Sequence, residues 1–144
     1  MKRLSFLIPF LFWSCGTNIP FEQEDLAPPS VFYVTPLASG KMQIDYAVTN
    51  DESHFDGYNL YIAKETISDA AMASIEPLVI TGSLPTFIHT PEEYNPSTLL
   101  SKVIETQDGF LPFTAGTQYF FRLAAHGING RTSQGSSVLS ATAQ

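Results

Sequence analysis

The 144-residue chain is long enough for one domain with little left over, and its 11 Phe and 6 Tyr can fill a core without a metal or disulfide. At 44% hydrophobic and 15% charged residues it does not have the composition of a disordered tail. Acidic residues outnumber basic ones by 14 to 7, a net charge of −7, and such a surface repels the phosphate backbones that Lys and Arg would have to neutralise, which argues against nucleic acid as a partner.

The first element is a short basic start, Met1-Lys2-Arg3, followed by the apolar run from Leu4 to Trp13. A run of that length suits a signal peptide, since a membrane-spanning helix needs about 20 residues. Ser14 and Cys15 follow, then Gly16-Thr17-Asn18. A small residue before a Cys, directly after the apolar run, resembles the lipobox of bacterial lipoproteins, although Phe12 and Trp13 are bulkier than the usual residues there. The resemblance implies cleavage after residue 14 and diacylglycerol on Cys15. Cys15 is the only cysteine, so no intramolecular disulfide competes for it. Residues 15–26 then form the lipidated head and an acidic tether carrying Glu22, Glu24 and Asp25. Gly16 after the Cys resembles lipoproteins passed on to an outer membrane.

From residue 27 the pattern changes to short alternating segments between turn residues. Pro28-Pro29 opens a strand over 30–34 that Pro36 closes. Met42, Ile44, Tyr46 and Val48 alternate with polar or small residues, a half-buried strand. After a polar loop over 49–57, Tyr58, Leu60 and Ile62 share one face of a third strand, with Asn59, Tyr61 and Ala63 on the other. The segment 66–110 is harder to read. Residues 68–74 suit a short helix with Ser68 as N-cap, and 78–81 and 86–89 suit strands. Asn95-Pro96-Ser97 before Leu99, Leu100, Val103 and Ile104 predicts a capped amphipathic helix, with the β-branched pair leaving a strand open. Near the C-terminus Tyr119, Phe121, Leu123 and Ala125 alternate again, Gly127-Ile128-Asn129-Gly130 reads as a turn, and 137–143 as a last strand.

Pro28-Pro29, the segment 57–61, and the block 115–125 together resemble a fibronectin type III domain. The resemblance covers about 27–65 and 111–144. It implies an all-β, immunoglobulin-like sandwich over 27–144, with 66–110 as a long insertion between strands C and F that has room for short helices. It also implies that Tyr119 is the corner tyrosine, with its hydroxyl bonded to backbone near Thr114 or Ala115. Tyr46 stands where the family's strand B usually carries Trp, and Phe113 where Leu usually precedes the corner.

Little in the sequence points to catalysis. His54, His89 and His126 are scattered and read as surface or turn residues rather than metal ligands. No Gly-x-Ser-x-Gly elbow or phosphate loop occurs, and Glu92-Glu93 are neighbours that point apart. No metal or cofactor is expected. Phe120 and Tyr61 fall on outward faces by parity, which suggests a sheet surface that something covers. The expected function is a non-catalytic binding or scaffolding lipoprotein of the cell envelope, outer-membrane anchored through Cys15 and built as a monomeric domain. The alternatives are a surface adhesin and, more remotely, an accessory or enzymatic protein acting on envelope polymers. The candidate binding surface is Glu92, Glu93 and Tyr94 with Asn129 and Arg131, the last two in the turn where some fibronectin type III domains present adhesion tripeptides.

Overall fold

The computed structural model describes residues 25–144. Cys15, the signal peptide and most of the tether lie outside the described residues.

Eight strands form two antiparallel sheets. The first has the order β1 (Phe32–Leu37), β2 (Lys41–Val48), β5 (Asn95–Ile104). The second runs β4 (Phe87–Ile88), β3 (Phe55–Ala63), β6 (Gln118–Gly127), with β7 (Thr132–Gly135) and β8 (Leu139–Thr142) pairing successive parts of the far edge of β6. This order, with the chain crossing between sheets from β2 to β3, from β4 to β5 and from β5 to β6, is that of a fibronectin type III-like, immunoglobulin-like sandwich. One short helix, α1 (Asp69–Met72), and a 3-10 turn over Pro91–Glu93 complete the elements.

The alternating segments behave as their period requires. Met42, Ile44, Tyr46 and Val48 of β2 are buried, as are Tyr119, Phe121, Leu123 and Ala125 of β6. Between them the core is aromatic. Tyr46 stacks on Phe87 with centroids 5.0 Å apart and meets Tyr58 edge-on at 5.6 Å, while Phe113 stands edge-on to Tyr119 at 4.9 Å. Offset and edge-to-face arrangements of this kind let the negative ring faces meet positive edges. The Tyr119 hydroxyl accepts the Thr114 N–H at 3.0 Å, fastening the loop that leads into β6.

Four expectations change. Pro36 lies inside β1 rather than closing it, because β1 is an edge strand and needs no N–H there. Residues 78–81 form no strand; Leu78 alone is buried, and its N–H bonds to the Leu60 carbonyl at 2.8 Å. Leu26, assigned to the tether, is buried in the core cluster and belongs to the domain. The largest change is at 95–104, which is strand β5 and not a helix. It pairs with β2 from Met42↔Ile104 to Ala47↔Leu99, so this part of the long middle segment is the third strand of the first sheet.

The helix over 68–74 does form at Asp69–Met72, with the Ser68 hydroxyl accepting the Ala71 N–H at 3.1 Å. It lies over the outer face of the β3–β6 sheet. Tyr61, Ile67 and Ala124 make a second small core there, with Met72, Ile75 and Phe120 packed against it.

Candidate binding surface

The chain enters the sandwich at one pole, where several polar side chains with specific partners gather. Val48 at the end of β2 pairs with Asn95, and Phe55 at the start of β3 pairs with Gly127, so the β2–β3 loop, the 3-10 turn and the β6–β7 turn share that pole. The incoming segment is tied to it. The Ala27 N–H donates to Glu52 Oε1 at 2.7 Å, and Asn50 Nδ2 donates to the Ala27 carbonyl at 2.9 Å. Asn50 in turn accepts the Tyr58 hydroxyl at 2.8 Å, so the entry point is braced on the core.

The β6–β7 turn is a three-residue loop. Gly127 N–H bonds to the Arg131 carbonyl at 2.9 Å, Gly130 N–H to the Gly127 carbonyl at 2.7 Å, and Gly130 has φ +76°. That is the type I turn with a left-handed glycine, so the Gly of Asn129-Gly130 is required at this position by backbone geometry. The Asn129 side chain accepts the Arg131 N–H at 3.0 Å and is thereby used in holding the turn. Arg131 lines a cleft of about 600 Å³ together with Asp25, Leu26, His54 and Gln134. Ser133 also lies there, but its hydroxyl donates to the Gln134 carbonyl at 2.7 Å and accepts the Ala125 N–H at 2.9 Å. These bonds fix the Ser133 hydroxyl between β6 and the backbone of its own strand. The cleft offers a carboxylate, an imidazole and a guanidinium around a partly apolar floor, which suits recognition by charge and hydrogen bonding.

Glu92, Glu93 and Tyr94 lie at the same pole but do not line that cleft. Glu92 and Glu93 occupy the 3-10 turn, where the Glu93 carboxylate accepts the Thr90 N–H at 3.0 Å and contacts His89 Nδ1 at 3.2 Å. The Thr90 N–H bond, with the His89 contact and the nearby Lys102 charge, holds the Glu93 carboxyl below the usual carboxylate range. A side-chain bond from Thr90 does the same for Glu92. The sequence-derived surface thus divides into two patches of one pole, Glu92–Tyr94 and Asn129–Arg131.

The histidines differ from expectation. His54 does lie in a turn but is buried, His89 is buried beside β4, and His126 is half-buried in β6. His89 Nε2 lies 2.7 Å from the Tyr46 hydroxyl, so Tyr46, His89 and Glu93 form a chain from the core to solvent. Burial pushes the His89 imidazole below its ordinary value, against the raising effect of Glu93. His126 Nδ1 lies 2.7 Å from Asp56 Oδ1, joining β6 to β3. Among the described residues no three His, Cys, Asp or Glu side chains converge as a metal site.

Arg122 is the polar residue that sequence reasoning missed. It is buried on the outer face of the second sheet. Nε donates to the Ser136 carbonyl at 2.7 Å, Nη1 to the Ile67 carbonyl at 3.2 Å, and Nη2 pairs with Asp69 at 2.6 Å. The available signal was Tyr61 and Phe120, outward aromatics that imply a covered face.

No family model matches the sequence, and no curated protein does. Among solved structures the chain is similar to part of a β-1,2-glucanase from Parabacteroides distasonis, at 12% identity and TM-score 0.43 over 82% of this chain and 12% of that one. It is also similar to the sixth fibronectin type III domain of human fibronectin type III domain containing protein 3, at 17% identity and TM-score 0.42 over 83% of this chain and 87% of that domain. The chain spans only about an eighth of the glucanase, and the fold assignment rests on its own strand order.

Proposed function

We propose that the chain is a cell-envelope lipoprotein, held to an outer membrane by lipid on Cys15, whose sandwich is a non-catalytic binding or scaffolding module. The observation that carries this reading is the way the domain begins. Leu26 is docked in the core and Ala27 is bonded to Glu52 and Asn50, so the sandwich already includes a residue eleven positions after the lipobox-like cysteine. Residues 16–25 would then be the whole leash, with a reach of roughly 35 Å when extended. An anchor so close to the entry pole turns the cleft at Asp25, His54 and Arg131 towards the membrane-proximal side. Two or three acyl chains hold such a protein stably, whereas one holds it only marginally.

Cys15→Ala tests the anchor. Wild-type protein should partition into detergent and take up label from a palmitate analogue, and the variant should do neither. A variant that keeps both properties would remove the lipoprotein reading while leaving the sandwich untouched.

A further inference from the structure

Eleven large apolar residues are exposed among the described residues, and six of them lie together on the open side of the sandwich. That side is where the free edge of β5 faces the two-residue edge strand β4. Ile80, Ile88 and Val103 line a groove of about 250 Å³ there, floored by the buried Phe87 and Ile104. The groove leads to a small locked loop over 106–112. Gln107 N–H bonds to the Leu111 carbonyl at 2.8 Å, and Asp108 Oδ1 accepts the N–H groups of Phe110 and Leu111 at 3.0 and 2.7 Å. The loop touches the groove side, since a Cβ on Gly109 would lie 3.3 Å from the Val79 carbonyl oxygen. Its tip holds Phe110 at 90% exposure and Leu111 at 57%.

A rigid turn that presents Phe and Leu to water has already lost the freedom that binding would otherwise remove. We propose that this side is a self-association surface on which a second copy of the chain docks, Phe110 of each copy entering the groove of the other. The groove has room for a benzyl group. Its rim carries Lys102, an exposed cation whose charge also acts on Glu93, and the tip carries Asp108, an exposed carboxylate with Lys64 of its own chain nearby. The tip of one copy therefore brings a carboxylate to the cation of the other. Tip and groove adjoin on one side of one molecule, so a two-fold axis satisfies both contacts at once and association closes at a dimer. Val79, Ile80, Ile88, Val103, Phe110 and Leu111 are all exposed and supply the apolar area of this side. The proposal departs from the monomeric domain expected from the sequence.

The test is disulfide trapping between two differently tagged copies of the full chain produced in one cell. One copy carries Phe110→Cys and the other Ile88→Cys, and a control pair combines Phe110→Cys with Tyr33→Cys on the exposed part of β1. All three sites are exposed, so each variant should fold. The expected result is a mixed disulfide at least five times more abundant for the first pair than for the control, and reduced at least fivefold by Lys102→Glu in both copies. Equal yields for the two pairs, no mixed disulfide, or disulfides only to other proteins would each overturn the proposal. So would flotation of the Cys15→Ala chain with phosphatidylcholine vesicles that is lost when Phe110→Ser is added to it, since the tip would then be a membrane contact.

Discussion

Strands β3 and β6 bury two faces that are built in different ways. The inner face, against β2, is filled by Tyr58, Leu60, Phe121 and Leu123, and its polar atoms are few and paired. The outer face carries Asn59, Tyr61, Arg122 and Ala124 beneath the segment 67–75. Inside, stability is spread over many rings, so that no single contact is decisive. Outside, one guanidinium joins the backbone at Ile67, Gly135 and Ser136 to the sheet. Even the glycine beside it is fitted to that arrangement, because a Cβ on Gly135 would lie 2.6 Å from Arg122 Nε and from Met72 Sδ. The lesson is that a second covered face can be held by one buried cation where the apolar area is too small to hold it alone.

Arg122→Met breaks this comparison most directly. It keeps the apolar stem and removes the donors, leaving buried carbonyls unpaired, at a cost of about 3 kcal/mol. Little of that cost belongs to Asp69, which is exposed. Urea denaturation should show the loss, and amide exchange should quicken in α1 and β7 before the inner strands. Uniform quickening would mean that the two faces are one cooperative unit.

On the inner side, Tyr119→Phe removes one acceptor from the Thr114 N–H and should cost about 1–2 kcal/mol in the same assay. An unchanged midpoint would show that the loop is held by Phe113 packing instead. Asn59 supplies a change of opposite sign. Its carboxamide is buried with no partner for Nδ2 or Oδ1 among the described residues, so Asn59→Leu should leave stability unchanged or raise it by up to about 1 kcal/mol. A clear loss would place a bonded water or side chain at that position.

The smallest effect expected is a dependence on pH through His89. Burial lowers its folded pKa below 6.5, so the unfolded chain takes up a proton first as the pH falls. The contribution of His89 is complete above about 6.5 and declines below it, towards the folded value. Denaturation midpoints measured at pH 7.5 and 5.0 should therefore fall less for His89→Gln than for wild type. An equal fall would assign the pH response to other groups.

Period-two alternation made β2, β3 and β6 legible, because each has one face wholly inside. The same logic failed at β5, whose position at an edge leaves Leu99 and Val103 exposed and only Ile104 fully buried. Its spacing of apolar residues fits a helix equally well, and what decides for a strand is the unpaired edge of β2, a demand that local sequence does not display. His89 was readable in hindsight, since a strand through Phe87 puts both on the inner side. Of the candidate surface, Arg131 proved to line a cleft, while Asn129 is occupied in its own turn. Arg122 could not be found by parity alone, because parity shows which side a residue faces and not whether that side is covered.

Intact mass spectrometry of the protein purified from membranes tests the proposed lipid anchor at Cys15 most directly. The mass should correspond to a chain that lacks residues 1–14 and bears diacylglycerol on Cys15, with or without an amide-linked acyl chain. A chain cut elsewhere, or one that retains a free Cys15 thiol, would contradict it.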